Sequence, residues 1–297
     1  MSTIELQNLT KTFGDLIAVN DVSLKVEENE VLCLLGPSGC GKTTTLRMVA
    51  GLEEATSGDI LIANKNVNNL ETRDRNLAMA FQFYALYPSL TVAENLSNPL
   101  HAENLSPEEI KKKIFEIADI LQLREIINRK PHQLAEGEKQ RVAVGRAIIR
   151  DPECFLFDEP LSRLDVQLRE QMRGQIKEVL SNLKKATVIV THDQLEALTM
   201  ATKIAVMRDG FIEQVSSPHD IFAKPNNIFV AGFIGTPQMN ILDCKIAEIN
   251  SSMLKINALD QEIEIDFGNT ININKEDKYY LGIRPRSFEI ANNNSKD

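Results

Sequence analysis

Apolar and polar positions alternate along residues 3–7 (TIELQ) and, less strictly, along 17–26 (IAVNDVSLKV). A period of two predicts strands of a half-buried antiparallel layer. Residues 31–35 (VLCLL) are instead continuously apolar and break into a glycine-rich loop, after which a helix-compatible stretch opens at Lys42 and stops at Gly51. A turn and a short strand follow at 57–63, and 77–87 (LAMAFQFYALY) reads as an apolar strand running into Gln82 and an aromatic-rich segment closed by Pro88. Ser106-Pro107-Glu108-Glu109 is a helix start, with a capping serine, a first-turn proline and acids at the positive end of the dipole. Behind it Ile110, Ile114, Ile117 and Leu121 recur at helical spacing, and Lys111, Lys112 and Lys113 form the solvated side.

Residues 134–150 give a second helix, stopped by Asp151-Pro152. Residues 154–157 (CFLF) and 186–190 (ATVIV) are apolar throughout, as strands buried on both faces of a parallel sheet are. Segments 203–207 and 211–215 flank Asp209-Gly210, a hairpin signal. Apolar strands that end in polar residues, with helices between them, predict an open α/β sheet whose site lies at the strand ends. Past Gly235-Thr236-Pro237 the pattern shifts to short alternating strands (CKIAEI, MLKIN, EIEIDF, YYLGI) without a helical period. This places a domain boundary between 1–235 and 236–297, the second part a small β-barrel-like module ending in a polar tail, expected to be disordered.

Composition narrows the picture. Apolar and charged fractions of 43% and 25% are those of a globular protein, and 297 residues hold one large domain plus a small one. A net charge of −9 argues against a nucleic-acid surface. No apolar run reaches the roughly 20 residues of a membrane span, and the first residues carry no secretory pattern. Cys33, Cys40, Cys154 and Cys244 form no CxxC pair, so neither a zinc site nor a disulfide framework is indicated, and a reduced cytoplasmic protein fits best.

The chemistry concentrates at the strand ends. Gly36-Pro37-Ser38-Gly39-Cys40-Gly41-Lys42-Thr43 fits the phosphate-cradling pattern G-x-x-x-x-G-K-[ST]. Glycines let backbone N–H groups wrap a polyphosphate, and the new helix adds partial positive charge. Lys42 is placed for the β- and γ-phosphates, and the Thr43 hydroxyl for Mg²⁺. Asp158-Glu159 ends a buried strand, where adjacent acids are costly unless they face a cation or water. Of the four histidines, His192 alone sits at the tip of a predicted core strand. Gln82 is either a plain strand end or a mobile reader of metal and water. Phe13 is either a core aromatic or a flat platform for a base, and residue type alone favours the core.

In this order the phosphate loop, Gln82, 134–141, Asp158-Glu159, Leu161-Ser162-Arg163-Leu164-Asp165 and His192 resemble the ATP-binding subunit of ABC transporters. FQFYALYPSLTVAENL, FLFDEPLSRLDVQLR and GFIGTPQMNIL are similar to the branch serving sugar importers of the maltose and glycerol-phosphate type. The resemblance implies an α/β P-loop ATPase core: a mixed sheet, an antiparallel β layer and a helical subdomain at about 88–150. It also implies that 236–297 is a partial, OB-like C-terminal regulatory β-domain. Implied roles follow position by position. Phe13 stacks on adenine, and Gly36, Pro37, Ser38, Gly39, Cys40, Gly41, Lys42, Thr43 and Thr44 bind the nucleotide. Thr43, Gln82 and Asp158 hold Mg²⁺, Glu159 is the general base, His192 contacts the γ-phosphate, and Gln82 reports to the membrane partner. Ala135, Glu136, Gly137, Glu138 and Asp165 face the site of a second ATPase subunit, expected as a homodimer.

The implied activity is ATP hydrolysis at the cytoplasmic face of the membrane, energising import of a sugar. The implied partners are permease subunits and an extracytoplasmic solute-binding protein, with no nucleic acid. Alternatives are the ATPase of a polyamine, iron or other anion importer, or a nucleotide-binding subunit with weak hydrolysis. A non-transport ATPase of the family usually carries a long coiled-coil insertion or duplicated ATPase domains, and neither is seen. The second alternative arises from a departure: where the family usually reads LSGGQ, this chain has Leu134-Ala135-Glu136-Gly137-Glu138. Arg163, helped by Lys139, is expected to offset the two extra acids. The aromatic segment 81–87 is expected to dock a short permease helix.

Overall fold

The structure, a computed structural model, describes residues 3–162, 164–249, 253–259, 261–266 and 278–288. It divides into two compact units, Met1–Ile221 and Phe222–Asp297. The first unit begins with β1 (Ile4–Phe13), β2 (Leu16–Val26) and β3 (Val31–Leu35), then α1 (Lys42–Ala50), β4 (Ser57–Ile62), β5 (Lys65–Asn66) and β6 (Leu77–Ala80). Helices α2 (Val92–Ser97), α3 (Pro107–Ile120) and α4 (Glu136–Ile148) follow, then β7 (Cys154–Asp158), α5 (Val166–Leu183), β8 (Ala186–Thr191) and α6 (Gln194–Met200). The hairpin β9 (Lys203–Arg208) and β10 (Phe211–Ser216) leads to α7 (Pro218–Ala223).

Two sheets build this unit. An antiparallel sheet has the order β2-β1-β4-β5, and a six-stranded sheet has the order β10-β9-β3-β8-β7-β6. In the second sheet β6 to β9 and β3 run parallel, and β10 closes the edge antiparallel. Residues of the apolar runs bury on both faces. Leu32, Leu34, Cys154 and Leu156 join a core with α1 and the antiparallel sheet, while Phe155 and Phe157 join the core beneath the helices. Each such side chain stabilises the fold by about 1.5–3 kcal/mol. Continuous hydrophobicity, rather than alternation, follows from that two-sided burial.

Register decides where the site falls. Leu35 pairs with Thr191, Asp158 with Val190, and Ala80 with Phe157. The residues just beyond these pairs, Gly36, His192, Glu159 and Gln82, therefore leave the sheet along one edge. Helix α1 starts at that edge and is anchored at its far end by Arg75. The buried guanidinium donates to the Met48 and Val49 carbonyls at 2.8 and 2.9 Å and to Leu70 O at 3.1 Å. A cation on those last carbonyls also suits the negative end of the helix dipole. Gly51, at φ 73°, packs against this guanidinium so closely that a Cβ would lie 2.6 Å from Arg75 Nε.

Three features differ from the sequence reading. The strand expected to run from Leu77 into Gln82 stops at Ala80, since the next residues turn out of the sheet to carry Gln82 and the aromatics. Helix α5 was not anticipated, although Met172, Ile176, Val179 and Leu180 bury at helical spacing behind the Asp165 cap. The division between units falls at 221/222 rather than 235/236.

The second unit contains α8 (Ile228–Phe233), β11 (Asn240–Ile249), β12 (Met253–Ala258), β13 (Gln261–Asp266) and β14 (Tyr279–Ile283). Its strands form an antiparallel sheet in the order β13-β12-β11-β14. Arg284 accounts for the earlier boundary: it donates to the Phe222 carbonyl at 2.7 Å and to Ile234 O, and stacks 4.0 Å above the Phe222 ring. Those contacts tie 222–235 to the β-sheet that follows. Among the described residues no helix is long and apolar enough to cross a membrane.

Candidate nucleotide site

The loop after β3 is closed around its own lysine. Lys42 is buried, and its Nζ donates to Gly36 O and Pro37 O, both at 2.8 Å, with Cys40 Sγ at 3.7 Å. Gly41 sits at φ 103°, and a Cβ there would lie 2.4 Å from Ala18 O, so no other residue fits. Pro37, Ser38, Gly39 and Thr43 are exposed at the lip, with Thr44 half-buried behind them. Helix α1 carries no acid in its first turn and no side-chain cap, leaving its N-terminal N–H groups to an anion.

Opposite the loop, Thr43 Oγ1 donates to Asp158 Oδ1 at 3.3 Å. Burial pushes the Asp158 carboxyl above its ordinary pKa, and the Thr43 hydroxyl pulls in the other direction. A desolvated carboxylate beside a hydroxyl is a hard oxygen pair of the kind that Mg²⁺ takes, and the Gln82 amide oxygen is a third donor of that type. Among the described residues no cluster of three or more His, Cys, Asp or Glu side chains offers a metal site.

Glu159 leaves β7 in a left-handed conformation, φ 47°, with its N–H on Val190 O at 2.9 Å. Its two carboxylate oxygens are taken from opposite sides. Gln82 Nε2 donates to one at 2.9 Å, and His192 Nδ1 bonds the other at 2.9 Å. Three sequence-predicted residues from three separate segments thus meet in one cluster, next to Asp158. Phe13 is 47% exposed at the end of β1, which overturns its reading as a core aromatic. Lys11 Nζ lies 4.8 Å from its ring centroid.

The segment 134–138 folds an acid of its own back onto the start of α4. Glu138 Oε2 accepts the Ala135 N–H at 2.8 Å, and Lys139 Nζ pairs with Glu136 at 2.7 Å. Ala135 has no hydroxyl to return the cap, and Gly137 is buried against Leu168. Asp165 caps α5 through Leu168 N at 3.0 Å. Arg163 lies outside the described residues, and Lys139 pairs with Glu136.

Two residues near the site carried no sequence signal. Arg169 donates to Leu164 O at 2.9 Å and to Asp193 at 3.3 Å, joining the loop before α5 to the segment after His192. Lys11 is the other. Both act through tertiary partners that no local spacing encodes.

The sequence profile of the family described as "ABC transporter" matches residues 19–162. The chain is 46% identical to the trehalose/maltose import ATP-binding protein MalK of Thermococcus litoralis, over 98% of its own length and 80% of that protein's. The chain belongs to the ABC transporter ATP-binding proteins. This ABC chain is also 45% identical to the xylose/arabinose import ATP-binding protein XacJ of Haloferax volcanii, covering 98% of itself and 75% of that relative. It is 43% identical to an sn-glycerol-3-phosphate import ATP-binding protein, UgpC 2 of Rhizobium johnstonii, over 100% and 80%. In solved structures it resembles the ATP-binding cassette MJ0796, determined as a dimer bound to ADP and Pi. That match has a TM-score of 0.65 and 31% identity, over 72% of this ABC chain and 98% of the cassette.

Proposed function

We propose that the chain is the ATP-hydrolysing subunit of a solute importer and that Glu159, held between Gln82 and His192, is its general base. The observation that carries the reading is this clamp, with one partner on each carboxylate oxygen, beside a phosphate loop and a helix N-terminus free of acids. Hydrolysis is in-line transfer of the γ-phosphoryl group to water, in which positioning and charge stabilisation dominate. Lys42 exchanges the Gly36 and Pro37 carbonyls for phosphate oxygens, and the loop amides and α1 receive the remaining charge. Thr43, Asp158 and the Gln82 amide oxygen would hold Mg²⁺, which supplies charge neutralisation when bound. Glu159 accepts the proton of the attacking water, and His192 fixes the carboxylate from one side.

The similarity to sugar and glycerol-phosphate import proteins supports a sugar or sugar derivative as the solute. Permease subunits, an extracytoplasmic solute-binding protein and a second ATPase subunit complete the proposed assembly, peripheral on the cytoplasmic face of the membrane. The exposed Phe81, Phe83 and Tyr87 beside Gln82 suit the docking of a permease helix. One observation favours a second reading, weak hydrolysis by this chain alone: Glu138 already occupies the start of α4, and Glu136 adds an acid there. The test of the main reading is Glu159→Gln. ATP binding by calorimetry stays near wild type while steady-state phosphate release falls at least about 100-fold, the lower end of the range for losing a general base. Phosphate release at the wild-type rate removes Glu159 as the base.

A further inference from the structure

Lys11 lies over one face of the Phe13 ring. Its Nζ is 4.8 Å from the centroid, 2.7 Å from the Glu53 carboxylate and 2.7 Å from Glu54 O. Its side chain is only 12% exposed. Glu53 and Glu54 belong to the loop just past α1. The same loop is laced to β1 by Thr12 N on Thr56 Oγ1 at 3.0 Å and Thr56 N on Thr10 O at 2.8 Å. Phe13 is thus bolted to the far end of the helix whose near end meets the phosphate loop.

An ion pair alone does not explain this placement. Ion pairs near the surface contribute little, and the pair with Glu53 requires no ring over the lysine. Against the ring it does two further things. A cation on a ring face is attracted by the quadrupole and restricts the ring's rotamers. It also draws π-density toward itself, leaving the opposite face less negative toward an electron-rich purine.

We infer that Lys11 is a positioning residue for the base half of the nucleotide site, holding Phe13 as a preset platform at a fixed separation from the phosphate loop. The inference rests on Phe13 being the base platform. It predicts that Lys11 matters to ATP and not to a ligand that has the phosphates but no base. The experiment measures calorimetric Kd values of the full chain for ATP and for inorganic tripolyphosphate, with steady-state ATPase kinetics on the same variants. For Lys11→Met the ATP Kd and KM rise about fivefold, the scale of one cation–π contact, while the tripolyphosphate Kd and kcat stay unchanged. Lys11→Arg, whose guanidinium also stacks, restores most of the loss. Glu53→Gln, which loosens the anchor and keeps the cation, raises the ATP Kd about twofold with no effect on tripolyphosphate. Phe13→Ala is measured in parallel. If it weakens ATP binding while both Lys11→Met and Glu53→Gln bind ATP normally, the inference fails and the platform reading stands. If Phe13→Ala also binds normally, both fail. Equal losses for ATP and tripolyphosphate in Lys11→Met and Glu53→Gln overturn the inference as well, assigning Lys11 to the phosphates or to the fold.

Discussion

Two helices of this chain begin in ways that are opposite in charge. Helix α1 starts at Gly41 with no acid in its first turn and no side chain on its free N–H groups. Helix α4 starts at Ala135, carries Glu136 and Glu138 in its first turn, and folds Glu138 back onto its own N-cap. The physics of the two termini is the same: unpaired donors and partial positive charge. One leaves that potential open to an anion from outside, and the other sets two carboxylates of its own beside it. A helix start is therefore a phosphate site only when the chain withholds its own carboxylates.

Substitutions that move one terminus toward the other test the contrast. The largest effect is expected at Gly41→Ala, whose Cβ meets Ala18 O at 2.4 Å. ATP binding falls below calorimetric detection, while a variant that binds normally shows that the loop tolerates a different path. Lys42→Ala removes a charged donor and weakens ATP binding by about 10–100-fold. Next is the combined variant Ala135→Ser, Glu136→Gly, Glu138→Gln, which gives α4 an uncharged start with a hydroxyl cap. Each acid at ~4 Å from a phosphate costs about 1–4 kcal/mol, so phosphate release by the assembled complex rises at least about tenfold. An unchanged rate means that the α4 terminus does not meet a nucleotide.

Asp158→Asn probes the open side through pH. Burial holds the Asp158 pKa above its unfolded value, so the folded form binds this proton more tightly. Its contribution favours the fold below the unfolded pKa and is lost as pH rises through the folded one. Asp158→Asn therefore melts higher than wild type at pH 8 but not at pH 3, in metal-free scans. The smallest effect is expected at Glu138→Ala, which loses half a cap, about 0.5–1 kcal/mol, and lowers the melting temperature by roughly 1–4 °C. Glu138→Gln keeps the bond and the melting temperature.

The same contrast marks what was readable from residues alone. The phosphate loop, with its strand before and helix after, is local, so its position was legible along with the apolar strands of the parallel sheet. The clamp on Glu159 was legible only in parts. Gln82 and Glu159 stand 77 residues apart, and only the register of β6 on β7 brings them together. Phe13 was ambiguous because an aromatic at a strand end has the same local pattern whether buried or exposed. Helix α5 had a readable period, obscured because 161–165 draws attention as a polar loop. Lys11, Arg75 and Arg169 were invisible, since long cations that bond distant carbonyls leave no periodic trace.

The corner formed by Gly51 and Arg75 has a consequence for substitution at either position. Shortening Arg75 first takes the guanidinium from the Val49 carbonyl and leaves Met48 O with the Gly51 N–H, while adding a side chain at Gly51 first drives a Cβ into the guanidinium at 2.6 Å and forces an unfavourable φ. Neither single step is neutral, so the two positions are energetically coupled through one contact. The helix that carries Lys42 thus keeps its footing only while the two positions match each other.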